Sequence, residues 1–347
     1  MPVDPEAVEK WYWRLNDECE RMAERISWAG SPEKTADMLF DKLGLDPLKV
    51  TDAGHLSVDK NVLREYGDVE VVKLLLAWRS KSKLKSTYVE PLRGKEWVHA
   101  TYNIHGAGTG RLSCSDPNMQ NFPWEMMDLF KAPEGMVFVT VDASQLELRV
   151  QAAVAQDTRM MEVFRSNGDI HDATRQALGL PNDAKSRTRA KVWNFSILYG
   201  AEDRSISELT GEPIDRVAVL ARRIRQAYPN VIQWQHNQMR FAAENGYVEM
   251  WNGRRRYGIN PRTKHGRNQA VNSPIQGVAG DFGKLAIIDT AAWKPRAQRH
   301  DEVSVLVPER EALGVKEDMI KKLEWEMDGV PIKWEGVVSK TWRKPKE

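Results

Sequence analysis

Two mainly apolar runs set the frame for this chain. Residues 136–141 (Met-Val-Phe-Val-Thr-Val) and 303–307 (Val-Ser-Val-Leu-Val) each read as a buried strand. Acidic residues stand at their ends: Asp142 follows the first run, and His300-Asp301-Glu302 precedes the second. A charge at the end of a buried strand is costly unless it is paired or bound to a metal. Two aspartates brought together would repel, and divalent cations would relieve that repulsion. Mg²⁺ held by a few carboxylates and by substrate phosphates is the usual arrangement for phosphoryl transfer. Taken singly, Asp142 reads equally well as an N-terminal helix cap, and Asp301-Glu302 as a hairpin turn.

The rest of the chain is mostly helical in pattern. Residues 6–27 form an amphipathic helix with Trp11, Leu15, Met22 and Ile26 on one stripe. Ser31-Pro32-Glu33 opens a second helix that Lys42-Leu43-Gly44 closes. Ser57 starts a helical pattern towards Tyr66, and residues 71–83 lead into the basic stretch Lys81-Ser82-Lys83-Leu84-Lys85. Ser144 starts a helix that runs to about Ala155, and Ser144-Gln145-Leu146-Glu147 matches a capping box. Residues 158–245 are helical with breaks at Gly168, Gly179, Gly200, Gly211 and Pro229. A hairpin over 246–257 carries Arg254-Arg255-Arg256. Asn272-Ser273-Pro274-Ile275-Gln276-Gly277 opens the helix before His300, with 281–293 helical, and the tail holds a last helix and a short strand. Strands and helices come in separate runs, so the fold class is α+β.

Composition narrows little. With 347 residues and a net charge of +2, bulk charge suggests no polynucleotide, although a basic cleft can be balanced by acidic outer faces. No apolar run approaches the roughly 20 residues of a membrane helix. Cys19 and Cys114 fit no metal or redox spacing, which points to a reducing cytosol.

The sharpest local signal is the segment 187–200. Arg187, Lys191, Phe195 and Tyr199 are spaced by four, so at about 100° per residue they lie on one slowly winding helical stripe. It reads cation, cation, aromatic, aromatic, and Gly200 can stop the helix. Two cations near a helix start suit a triphosphate, and the aromatic part can stack on a sugar or base. The ordinary alternative is a solvated basic face turning into a core face. Weaker signals are residues 109–123, with Arg111, and 272–277, with Asn272 and Gln276, whose side chains can reach minor-groove acceptors.

Together these residues closely resemble the polymerase domain of family A DNA polymerases, the DNA polymerase I type. The resemblance runs in order through Leu84-Lys85-Ser86-Thr87-Tyr88, 109–123, motif A at 142–149 and Asp169-Ile170-His171. It continues through motif B at 187–200, then 253–257, 272–277 and motif C at His300-Asp301-Glu302. It implies a right-hand fold: an N-terminally shortened thumb at 1–90, a palm of antiparallel sheet plus helices at 91–159 and 266–347, and helical fingers at 160–265. It implies a template-directed DNA polymerase that extends a primer 3′-hydroxyl with dNTPs by two-metal nucleotidyl transfer. No stretch resembles the exonuclease domains of larger relatives, so no intrinsic proofreading is expected.

The roles transfer position by position. Asp142 and Asp301 would hold two Mg²⁺ ions, with Mn²⁺ as an alternative, and Glu302 would assist. Arg187, Lys191 and His171 would hold the triphosphate, Lys191 also counting as catalytic. Phe195 would pack on the deoxyribose, Tyr199 would help seat the templating base, and Gln145 would line the dNTP site. Glu147 resembles the steric gate that excludes a 2′-hydroxyl. Arg111, Asn272, Gln276, His300 and Arg254 would contact DNA near the primer end. Lys81, Lys83 and Lys85 would contact duplex backbone. The partners implied are primer-template DNA and dNTPs, with no membrane, for a monomer in the cytoplasm of a bacterial or phage-infected cell. Ala143 and Ser196 depart from the usual Tyr and Gly, Arg267 is offset by one, and 295–299 is more polar than the apolar strand expected there. A related RNA polymerase and a catalytically weak or inactive DNA-binding remnant are the rival readings.

Overall fold

The computed structural model describes residues 1–344, which form two compact units. The first comprises Met1–His99, Phe122–Ala132 and Thr341–Arg343. Its long helices are Pro5–Ala23 and Glu70–Leu84, packed on one another. Asp4 caps the first by accepting from the Ala7 amide at 3.1 Å, with Pro5 at the first position. The buried stripe of this helix is Val8, Leu15 and Cys19; Trp11 and Met22 lie only half-buried beside it. Ser31 caps Pro32–Ala36, which continues as a π-helical stretch, Asp37–Lys42. The helix expected from Ser57 is the short Lys60–Arg64. Ile26, Leu39, Leu63, Val72 and Leu75 make the local core.

The second unit holds Ala100–Asn121, Pro133–Lys340 and Lys344. At its centre is an antiparallel sheet in the order Trp334–Ser339, Met136–Ala143, Glu302–Pro308, Ala297–Arg299. The two apolar runs are thus neighbours, in a register that sets Val139 opposite Val305 and Asp142 opposite Glu302. Both are buried nearly end to end, which explains continuous rather than alternating hydrophobicity. Thr140 and Ser304 satisfy each other by a buried hydrogen bond of 2.8 Å. The helix Ala312–Lys322 lies on the sheet, and Gly336 permits this: a Cβ there would stand 2.7 Å from Lys316 Cγ.

Several boundaries differ from the sequence reading. The helix after Asp142 begins at Leu146, not Ser144, because Gln145 takes a left-handed conformation (φ 54°) and breaks the run. Buried Arg149 braces this turn, donating to Ser144 O at 2.8 Å and Pro331 O at 2.7 Å. Helices end near each expected break over 158–245. The two segments expected at 272–277 and 281–293 belong to one helix, Lys264–Asp289, with Pro274 inside it. Burial of Val271, Ile275, Val278, Ala279 and Ala286 outweighs the roughly 3 kcal/mol that an internal proline costs. The tail holds three strands rather than one: Trp325–Met327, Val330–Ile332 and Trp334–Ser339. Among the described residues, no helix is long and apolar enough to cross a membrane. Both cysteines are free and buried.

Candidate active site

Strand pairing builds the acidic end of the site. The segment Ala297–Arg299 turns through His300 and Asp301 into Glu302–Pro308, and Ala143 N donates to Asp301 O at 3.0 Å. The hairpin-turn reading of Asp301 holds, and that turn abuts the end of the Asp142 strand. His300 carries the turn at φ 53°, a conformation usually left to glycine. The polar strand before it is tolerated because Gln298 is fully bonded. Gln298 O accepts from Tyr102 Oη at 3.0 Å, its Oε1 accepts from Gln120 Nε2 at 2.7 Å, and its amide donates to His300 O.

The acids here are compensated unevenly. Burial pushes the Asp301 carboxyl up to about 7, Arg111 opposes this, and Glu147 and Asp142 add to it. Burial also raises Glu302, which is 5% exposed, against the pull of Lys344. Lys344 Nζ lies 2.8 Å from Asp142 Oδ2 and 2.9 Å from Glu302 Oε2. Glu302 Oε1 is buried without a hydrogen-bond partner. Among the described residues, no three His, Cys, Asp or Glu side chains form a ready cage. The oxygen donors and the orphaned Oε1 nevertheless fit Mg²⁺, which takes one or two carboxylates and completes its shell with water and substrate phosphates.

The cationic end is the helix Ala184–Leu198, capped by Asp183 through the Ser186 amide at 2.7 Å. Arg187 and Lys191 are exposed, while Phe195 and Tyr199 are half-buried, so the stripe runs from solvent towards the protein, a gradient that the ordinary alternative also predicts. The rings of Phe195 and Tyr199 stack at 5.6 Å and 14°. Gly200 follows with φ 78° and closes the helix. Arg187 Nε donates to Asp169 Oδ2 at 2.6 Å. Burial would raise the Asp169 carboxyl, but Arg187 and the His171 amide hold it below the usual range.

His171 is buried against Phe195, with ring centroids 5.9 Å apart. Asn194 Nδ2 lies 3.0 Å from His171 Nδ1, and Thr174 fixes Asn194 by donating to its Oδ1 at 2.6 Å. An amide donor facing Nδ1 leaves the proton of the neutral ring on Nε2. Burial depresses the His171 pKa to about 4, with Asp169 opposing and Arg187 and Lys191 adding to the fall. The unfolded chain therefore takes up this proton near 6.5 and the folded protein only near 4. Stability is lost as pH falls through that window, by about 3 kcal/mol if the whole shift is expressed. Thermal melts from pH 4 to 7 should show a shallower dependence for His171→Gln than for the wild type; parallel curves would remove His171 as the cause.

Glu147 joins the two ends. Its Oε1 accepts from Arg111 Nη2 and its Oε2 from Tyr199 Oη. The capping-box reading is overturned: both carboxylate oxygens are engaged elsewhere, and Ser144 N donates to Lys333 O at 2.8 Å. Gln145 sits in the turn beside it, with Oε1 buried and unpartnered.

Three glycines at a spacing of three, Gly277, Gly280 and Gly283, leave one face of the Lys264–Asp289 helix bare. Arg111 fits against it, since a Cβ on Gly280 would stand 2.9 Å from Arg111 Cγ. Arg254 fits there too, donating to Thr109 O at 2.9 Å, Gly277 O at 3.0 Å and Asp281 Oδ2 at 2.9 Å. This guanidinium thus ties the Arg111 loop to the helix. Asn272 and Gln276 lie on the same helix half-buried, and Asn272 Oδ1 is buried without a partner.

In the first unit, Lys81 pairs with Glu18 at 2.7 Å and Lys85 donates to Asn16 at 3.0 Å, while Lys83 is exposed. Partly exposed pairs of this kind contribute little and exchange readily for other anions. The sequence reading missed Asp169 as the partner of Arg187, Asn194 as the support of His171, and Lys344 altogether. Asp169 and Asn194 lie inside recognised motifs, at positions given no role there; the position of Lys344 in a polar tail carries no local signal.

The family model described as DNA polymerase family A matches residues 6–344. DNA polymerase I of Pseudomonas aeruginosa is 34% identical over 319 residues, which cover 85% of this chain and 35% of that protein. The thermostable DNA polymerase I of Thermus aquaticus is 32% identical over 370 residues, covering 96% and 44%. The solved POL domain of Pol1 from M. smegmatis, in complex with DNA primer-template and dNTP, is 26% identical with a TM-score of 0.85. That match covers 99% of this chain and 67% of the other. The chain thus spans less than half the length of each of these two curated relatives. The expected fold class, α+β of the right-hand polymerase type, agrees with this structural match.

Proposed function

This chain belongs to DNA polymerase family A, and on that footing we propose that it is a DNA-directed DNA polymerase adding dNTPs to a primer 3′-hydroxyl on a DNA template. The observation that carries this reading is the convergence on Glu147. This residue follows the Asp142 strand and is bonded to the aromatic end of the Arg187 helix through Tyr199 and to the Arg111 loop. A nucleotide with its phosphates on the helix start and its α-phosphorus near Asp142 and Asp301 would pass its sugar by this carboxylate.

In this reading Arg187, Lys191 and His171 bind the triphosphate; neutral His171 donates through Nε2 while the two cations offset phosphate charge. Phe195 packs on the deoxyribose, Tyr199 helps seat the templating base, and Gln145 lines the pocket. Glu147 excludes a 2′-hydroxyl. Asp142 and Asp301, assisted by Glu302, are the residues that would hold Mg²⁺ or Mn²⁺. When bound, two such ions would acidify the primer hydroxyl and neutralise the leaving pyrophosphate. Arg111, Asn272, Gln276 and His300 track the primer end, Arg254 supports the Arg111 loop, and Lys81, Lys83 and Lys85 face duplex phosphates. The corresponding subdomains are a thumb at 1–90, a palm at 91–159 and 266–347, and fingers at 160–265. The reading assigns no proofreading to residues 1–347.

The test is primer extension with Mg²⁺ and all four dNTPs, on matched and mismatched primers. Template-dependent extension is expected, with no excision of the mismatch. Lys191→Ala should lower kcat/KM for dNTP by about a hundredfold or more, the scale for removing one positioned charge stabiliser. Salt-sensitive DNA binding without extension under any divalent metal would instead favour the binding remnant.

A further inference from the structure

Lys344 bridges two of the acids assigned above, Asp142 and Glu302, and nothing in those roles uses it. Its ammonium contacts Asp142 Oδ2 at 2.8 Å and Glu302 Oε2 at 2.9 Å, and the Lys344 side chain is 20% exposed. Pairing of their strands places Asp142 directly opposite Glu302, so one ammonium can serve both. The two carboxylates differ in a telling way. Glu302 is almost fully enclosed, whereas the Asp142 side chain is 46% exposed and could be solvated without help. Glu302 therefore needs a counter-cation, and Asp142 is drawn into the same contact.

We infer that Lys344 is a built-in counter-cation that occupies the acidic pair when no divalent cation is present and competes with that cation for Asp142. The inference rests on the proposed role of Asp142 as a metal ligand. An ammonium and a divalent cation on one carboxylate repel at close range, so binding of the second requires the first to leave Asp142. A lysine suits such an exchange, because its long stem lets it swing away while still reaching Glu302. The protein would then be protected from the cost of a bare acidic cluster and would demand more divalent cation before it is loaded.

The experiment is a titration of the full chain with Mn²⁺ alone, free metal being read by electron paramagnetic resonance, without DNA or nucleotide. Lys344→Gln should bind Mn²⁺ about five- to twentyfold more tightly than the wild type, and Lys344→Arg should remain close to wild type. The melting temperature should rise further on Mn²⁺ addition for Lys344→Gln than for the wild type, a readout independent of catalysis. Equal or weaker binding by Lys344→Gln, or equally tightened binding by Lys344→Arg, would overturn the competition. Asp142→Asn separates the two readings. Loss of the tight Mn²⁺ site in both the wild-type and Lys344→Gln backgrounds is expected, whereas an unaffected site would discard Asp142 as the ligand itself.

Discussion

Asp301→Asn is expected to lower primer extension about a thousandfold or more while the metal-free protein melts no lower than the wild type. The two halves of this result come from the same geometry. Asp301 sits in the turn between paired strands, with no ion-pair partner among the described residues, and burial sets its carboxyl at about 7 instead of 3.8. The folded protein holds this proton more tightly than the unfolded chain. Stability therefore falls as pH rises from about 4 to about 7 and stays lowered above that range. Asparagine keeps the shape and removes the charge, so the variant should gain relative to wild type at pH 8 and match it at pH 4. Catalysis responds in the opposite sense, because the anion that burdens the empty fold is what would hold a divalent cation over the reacting phosphate. Differential scanning calorimetry at both pH values and single-turnover extension provide the check. Near wild-type extension would remove Asp301 from the metal role. A melting temperature several degrees below wild type would make the loss of activity a folding effect.

The cost of these acids to the empty fold is legible in the sequence, because acids beside two apolar strands are a local pattern. The same holds for the Arg187 stripe: four residues at one spacing with a closing glycine are decided within a few helical turns. What the sequence concealed was decided by distant residues. Glu147 looked like a helix cap because Ser144 is three positions before it, but its real partners are 36 and 52 residues away. The strand Ala297–Arg299 looked too polar to lie beside an apolar one. It succeeds because Tyr102 and Gln120, 196 and 178 residues from Gln298, satisfy its backbone and amide. Lys344 reaches Asp142 across 202 residues. Local rules mislead in a second way at Pro274, where the helix expected to open at 272–277 already begins at Lys264, and at Gln145, where a left-handed residue interrupts the run expected to begin at Ser144.

Glu147→Ala is the second large effect, and it tests the residue on which local and long-range readings disagreed most. The carboxylate is held from both sides, by the Arg111 guanidinium and by the Tyr199 hydroxyl. Burial, followed by Glu147 itself, pushes the Tyr199 phenol far up, so it remains a neutral donor through the working pH range. A side chain held this firmly cannot swing away from a substrate sugar, which is the condition for excluding one extra hydroxyl. Truncation should raise the ratio of rNTP to dNTP incorporation by about a hundredfold, the scale on which a site rejects a substrate that differs by one hydroxyl. It should also lower stability by about 1–3 kcal/mol, since Arg111 and Tyr199 both lose their acceptor in a partly buried setting. Glu147→Gln separates bulk from charge: it retains the volume and an acceptor for Tyr199, so sugar discrimination should persist while the Arg111 bond weakens. Competitive incorporation on one template, with urea unfolding in parallel, reads both quantities. Unchanged discrimination by the alanine variant would remove Glu147 from sugar selection. A stability loss with intact discrimination would mark it as a brace between the Arg111 loop and the Tyr199 end of the helix, so the joint measurement assigns the residue under either result.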